Sequence, residues 1–397
     1  LHDLAAHPDV SGLVIDLGSL EPISQTYALW DENATNPIHA NLVAASIRAL
    51  VGITRTAYPN LEYLIVVGND QIVPFWRIPD EVPLANEGSY MSFLSPESAV
   101  GAALGDSYFL SDDYYGSFNM LPWRGRGLAL PEYGLGRLVE TPAEMIASID
   151  ALLSAPVIPA QQGLVVGYDF LTDGAQAMSA ALRPAVQTMS QLIGETWGAS
   201  DLRSAWLQTR QDVSVINAHF EHWRAIPAQR SGGNVLASEV AASTVLAGTL
   251  NYSLGCHSGL SVPDCEATAH GTDFAQAILG RGGAWIANTG YGYGDADAVG
   301  YSEQLMTLFS RNLAEGISAG HALRRAKASY LNFTGIHSFS PYDEKVLAQT
   351  TLYGLPMMRI DVPESTRLAL QDPPAAGRLT EPIEAWPGLT SRQVVFT

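Results

Sequence analysis

A run of apolar residues from Val213 to Asn217 leads into Ala218 and His219, and a second run from Leu250 to Leu254 leads into Gly255 and Cys256. Short apolar runs of this kind read as buried parallel strands, and open α/β sheets present their working groups at the carboxyl ends of their strands. Adjacent parallel strands lie about 4.8 Å apart, so an imidazole and a thiol leaving two neighbouring strand ends can meet across one site. A thiol attacks as thiolate, and a nearby base or cation supplies that form. The spacing therefore points to a Cys–His dyad, with Cys256 as nucleophile and His219 as base. The small residues Gly255, Ser258 and Gly259 leave the backbone around Cys256 open, so that its N–H can face a developing oxyanion.

Other readings of the same residues stand beside this one. A cysteine after a buried strand is also what an inert core thiol looks like, and a histidine at a strand end is often structural. His222 is a second-choice base, three residues beyond His219; the strand ends directly before His219, which favours the first. Glu221, between them, is either an orienting carboxylate or a solvated one. His219, His222, Cys256 and His257 are ligand types that suit zinc, but their spacing fits no compact zinc motif. No G-x-S-x-G elbow surrounds Ser258, and Cys265, beside Pro263 and Asp264, reads as a loop thiol.

The elements that must hold such a dyad are legible as alternation. Apolar runs at Gly12 to Leu17, Tyr63 to Gly68, Gly163 to Gly167, Val213 to Asn217, Gly248 to Leu254 and Gly283 to Ala287 predict strands. Between them, apolar spacing near 3.6 predicts helices at Ala40 to Leu50, Ala143 to Leu153, Gln176 to Ile193, Asp273 to Leu279 and Tyr301 to Asn312. The expected class is α/β, three-layered, with mostly parallel sheets in two subdomains. Pro156, Pro159 and the pair Gln161–Gln162 mark a seam, so residues 1–156 form an N-terminal subdomain and 157–361 a second one. The proline-rich stretch 362–397 reads as a linker entering a β-rich segment.

Composition narrows the function. The 397 residues include 40 Asp and Glu against 21 Lys and Arg, a formal charge of −19, which repels phosphate backbones and excludes nucleic acid as the expected partner. No apolar run approaches the roughly 18 residues of a membrane span. Two cysteines make no disulfide framework. Few lysines, eight Trp and sixteen Tyr fit an exported protein, secreted or at the cell surface, and a chain beginning at Leu1 reads as part of a longer polypeptide.

The strand-then-His and strand-then-Cys segments resemble the gingipain family of cysteine peptidases, relatives of caspases, legumains and clostripain. The likeness covers roughly residues 1–361 and extends, in order, through Tyr63 to Asp70 with Ile72 to Pro74, Ser107 to Tyr115, Pro131 to Arg137, Ala284 to Thr289, and Thr351 to Pro356 as a closing strand. It implies a caspase-like second subdomain and a cysteine endopeptidase acting on a protein or peptide, with no redox or nucleotide cofactor. It also implies a pocket acid that takes Arg or Lys of the substrate, for which Asp169 and Asp173 stand in the corresponding loop; capping of the following helix is the other reading of both. Tyr291, Tyr293 and Asp295 would form the pocket wall. Family members bind calcium, and Asp106, Asp112 and Asp113 could supply its ligands, although a solvated acidic loop is the plainer reading. Two positions depart from the family pattern: Phe220 stands where Gly follows the His, and Gly255 where Ala precedes the Cys. A bulky Phe220 is expected to restrict the backbone that cradles the oxyanion together with Gly255 and Cys256. The rival expectation is a catalytically inactive caspase-like interaction domain of a larger secreted protein.

Overall fold

A computed structural model describes residues 1–8, 10–266, 270–295 and 298–363. Its frame is one eight-stranded sheet made of β1 (Tyr63–Val67), β2 (Gly134–Leu138), β3 (Gln162–Gly167), β4 (Thr188–Ile193), β5 (Val213–Ile216), β6 (Leu250–Tyr252), β7 (Ala284–Asn288) and β8 (Thr350–Tyr353). The spatial order is β1-β2-β8-β7-β6-β5-β3-β4. All neighbours are parallel except β7 and β8. Because β8 sits between β2 and β7, the sheet runs unbroken from the N-terminal segment into the C-terminal one. Helices Thr172–Leu182, Tyr301–Ala314 and Ala319–Thr334 pack together as one layer, and Pro142–Ser154, Ala237–Ala241 and Phe274–Leu279 as another. Every residue of β7 is buried, as a strand covered on both faces must be. The α/β, mostly parallel architecture expected from the sequence is therefore present.

The main core gathers Trp206, Phe220, Phe274 and Trp285 in a stack of aromatic contacts beneath β6 and β7. A second cluster lies under the helix Pro37–Ala57, whose inner stripe Ala40, Val43, Ala44 and Ile47 meets Ile23, Trp30 and Tyr115. By length and composition alone that helix could cross a membrane; here its inner face also carries Arg48, buried, with Nε donating to the Ser117 carbonyl at 2.6 Å.

Several elements differ from the sequence-based expectation. Gly12 to Leu17 is no strand but irregular chain entering a short 3₁₀ turn, with Leu13 and Ile15 exposed. The helix expected over Gln176 to Ile193 stops at Leu182, since Pro184 has no N–H to continue it, and β4 follows. That strand is at the sheet edge and polar on its open side, so no apolar run betrays it. In β2 the buried run is interrupted by Arg137, which is neutralised by Asp112. At the expected seam, Val157–Ile158 pairs in parallel with Arg359–Ile360. The tail reading for 362–397 lies outside the described residues from 364 onward.

The acidic trio is not arranged as a calcium site. Asp112 receives Arg137 Nε at 2.8 Å and Nη2 at 2.5 Å, Asp113 receives Lys327 Nζ at 2.7 Å on both oxygens, and Asp106 is exposed at the end of helix Ala99–Gly105. Burial pushes the Asp113 carboxyl up to about 6 against the pull of Lys327. Asp112 and Asp113 serve as buried counterions instead, and among the described residues no three His, Cys, Asp or Glu side chains are grouped to hold a metal.

Candidate active site

The register that sets Val213 beside Leu250 brings the ends of β5 and β6 level. Three residues past β5, His219 opens a short hairpin, His219–Glu221 with Arg224–Ile226. Four residues past β6 comes Cys256. Both line one shallow cleft, walled by Phe170, Leu254, Gly292 and Tyr293. The His219 ring is held edge-on by Tyr168, centroids 5.5 Å apart, and by Phe170 at 5.7 Å. Its Nε2 lies 3.5 Å from Asp169 Oδ2. Asp169, at φ +55°, is itself steadied by its N–H donating to Glu195 Oε1 at 2.7 Å.

Cys256 is half-buried, with Sγ 3.7 Å from the Gly292 carbonyl. Burial pushes its thiol up to about 11, so in the resting geometry the sulfur keeps its proton at neutral pH. The N–H groups on either side are committed: Gly255 donates to Ser253 Oγ at 2.9 Å and His257 to the Gly290 carbonyl at 2.7 Å. Among the described residues the Cys256 N–H meets no backbone acceptor, which leaves it available to an incoming oxygen.

Phe220 lies against this backbone from the core side and does not line the cleft. Side chains alternate along a strand, so with His219 facing the cleft, Phe220 turns into the core and packs 5.0 Å from the Phe274 ring. The space it fills explains the second departure. A Cβ on residue 255 would stand 2.4 Å from Phe220 Cδ2 and 2.8 Å from the Ala218 carbonyl oxygen; Phe220 and Gly255 are a matched pair.

The remaining sequence-derived residues divide. His222 is buried outside the cleft lining; its Nδ1 shares a 2.8 Å hydrogen bond with Tyr90 Oη, and burial drives its basicity down to about 3, so it stays neutral. Glu221 is paired with Arg224 at 2.6 Å rather than with an imidazole. Asp173 accepts the Gly174 N–H at 2.8 Å in the first turn of its helix and does not line the cleft. Tyr293 does line it, with Oη donating to the Ala85 carbonyl at 2.9 Å. Tyr291 turns instead toward His257, ring centroids 4.5 Å apart, and Asp295 is exposed, its N–H donating to Glu303 Oε2 at 3.2 Å. His219, His222, Cys256 and His257 thus have separate partners and make no zinc set.

Sequence reading missed what lies beneath the cysteine. His257, at φ +54° and fully buried, donates from Nε2 to Glu87 Oε2 at 2.7 Å and stacks on Tyr90 at 3.4 Å. Lys345 Nζ bridges Glu87 Oε1 and Asp80 Oδ2, each at 2.7 Å. Burial opposes ionisation of Glu87, yet His257 and Lys345 together outweigh it and hold the carboxyl down at about 2. These five residues come from three distant segments, so only the His directly after Cys256 was visible, and its type alone suggested a metal ligand.

No protein-family model matches the chain, and no curated protein matches it either. Solved structures do. It is similar to gingipain R, an Arg-specific cysteine proteinase, at TM-score 0.54 and 12% identity over 86% of this chain and 76% of that one. The complex of the pro- and mature domains of RgpB from Porphyromonas gingivalis gives TM-score 0.53 and 12% identity over 86% and 77%. A structure described only as a protease gives 0.51 and 12% over 80% and 68%. The level strand ends, the mostly parallel sheet and its two helical layers are, on these comparisons, a caspase-like fold.

Proposed function

We propose that this chain is a cysteine endopeptidase that works through a Cys256–His219 dyad. The carrying observation is that the two side chains leave level ends of adjacent strands into one cleft. His219 takes the thiol proton as the sulfur attacks the scissile carbonyl, the Cys256 N–H receives the oxyanion, and the imidazolium then protonates the leaving amine. Water, activated by the same imidazole, releases the acyl group. Because burial holds the thiol protonated at rest, proton transfer belongs to the attack itself. Asp169, exposed at the cleft rim beside Phe170 and His219, favours a basic residue, Arg or Lys, before the scissile bond. The substrate in this reading is a protein or peptide met outside the cell by a secreted or cell-surface protein.

The raised thiol, bonded to Gly292 rather than to His219, favours a second reading: an inactive domain that keeps the fold for interaction. One experiment separates the two. The parent protein and Cys256→Ala are incubated with peptides varied at the residue before the scissile bond, and the products are sequenced. Cleavage by the parent alone, strongest after Arg or Lys, supports the peptidase. No cleavage by either, with Cys256 alkylated no faster than a free thiol, replaces it with the interaction domain.

A further inference from the structure

The floor beneath Cys256 is built from residues that no part of the dyad uses. Glu87 sits fully buried at its centre. One of its oxygens takes His257 Nε2–H. The other takes both Lys345 Nζ and the Tyr291 N–H, the latter at 2.9 Å. Gly290 is shaped to it: a Cβ there would lie 2.2 Å from Glu87 Oε1. A single carboxylate, contributed by the N-terminal part of the chain, thus ties the left-handed residue directly after the nucleophile to the loop whose Gly292 carbonyl touches the sulfur and whose Tyr293 walls the cleft. Gln349 fixes the same loop from the far side, Nε2 donating to the Tyr291 carbonyl at 2.6 Å.

We propose that Glu87 is a positioning residue for Cys256: through His257 and the Tyr291 N–H it sets the aim of the thiol, and through the chain Asp80–Lys345–Glu87–His257 it sets the charge the sulfur faces. The inference rests on Cys256 being the nucleophile of the dyad.

Charge and hydrogen bonding here can be followed group by group. The groups around the sulfur are His219 and Tyr293 in the cleft, Asp169 at its rim, Tyr291 beside it, and Glu87, Lys345 and His257 beneath. Among the described residues His257 Nδ1 is buried with no partner, which suits a lone pair better than an N–H, so the imidazole is the neutral Nε2–H form. Two carboxylates, Asp80 and Glu87, then stand against one ammonium, and the remaining negative charge disfavours thiolate. Glu87 acts in that sense on Cys256, and Lys345 in the opposite one.

The test reads the thiol directly. In a Cys265→Ser background, Cys256 is alkylated with iodoacetamide across pH, and peptide turnover is measured on the same proteins. Glu87→Gln removes the charge and one of the three contacts while keeping the shape. It should move the alkylation profile down by about half a pH unit or more, roughly a threefold faster reaction at pH 7. The same variant should lower kcat about tenfold or more with KM little changed, because the sulfur is no longer aimed. His257→Asn keeps a residue that tolerates the left-handed turn but cannot span to Glu87, so it should move the profile the other way. Profiles and kcat within twofold of the parent in Glu87→Gln would overturn the proposal, as would two variants that both fail to fold; if only Glu87→Gln fails to fold, His257→Asn decides by the same readouts. Should the parent show no turnover, the peptidase reading falls, while the opposite-signed alkylation shifts still decide whether Glu87 sets the thiol.

Discussion

Two imidazoles flank Cys256, and they are held in opposite ways. His219 is about one-third exposed, gripped by aromatic edges, with its nearest carboxylate 3.5 Å away on an exposed aspartate. His257 is fully buried, stacked on Tyr90 and bonded at 2.7 Å to a carboxylate that is itself pinned by a buried ammonium. A group that must pick up and hand over a proton needs water-side freedom and a loose partner. A group that must not move needs neither. In the proposed dyad the same residue type therefore does chemistry on one side of the cysteine and architecture on the other, and its surroundings decide which.

The sharpest way to break this contrast is to remove each side separately. His219→Ala should lower kcat by about 10²–10⁴-fold and leave the thermal midpoint nearly unchanged, since little packing is lost; an unchanged rate, measured on a cleaved peptide, would shift the base elsewhere. Lys345→Met should do the reverse. It leaves the buried Asp80 and Glu87 without their shared ammonium, which costs on the order of 3–5 kcal/mol and is read as a fall in the urea midpoint. Smaller is the effect of Gly255→Ala, where the added methyl runs into Phe220; overpacking of this kind costs about 1–3 kcal/mol. Adding Phe220→Leu should recover part of it, and failure to recover any would uncouple the pair. Acid gives the most gradual test. The Glu87 carboxyl is held below its ordinary value, to about 2, so its contribution is fully present above about pH 4.5 and drains away as pH falls toward 2. Stability of the parent should decline through that window, more steeply than in Glu87→Gln.

The contrast also marks what a sequence can and cannot reveal. His219 and Cys256 were legible because each follows an apolar run, and buried parallel strands write such runs plainly. β7 and β5, buried throughout, were legible for the same reason. β2 was not, because its Arg137 is silenced by an aspartate 25 residues away in the chain, and β4 was not, because Thr188, Ser190 and Gln191 break any apolar run along it. The floor under the nucleophile is hidden more deeply. Asp80, Glu87, His257 and Lys345 are ordinary charged residues until the fold brings them together, and no local spacing encodes a pairing between positions 87 and 345. Asp112 and Asp113 show the converse: adjacent acids suggest a cation site, yet each was answered by a basic side chain from elsewhere.

The place of β8 bears on how such a protein is made. This strand, Thr350–Tyr353, is laid between β2 and β7, and Lys345 precedes it by only a few residues. A ribosome that has released everything up to residue 340 has exported His219 and Cys256, but the middle of the sheet is still a gap and Glu87 has no ammonium to face. Long-range pairing of this kind closes late. The growing chain therefore carries Cys256 through synthesis with the floor beneath it unbuilt, and arrival of residues 345–353 assembles that floor.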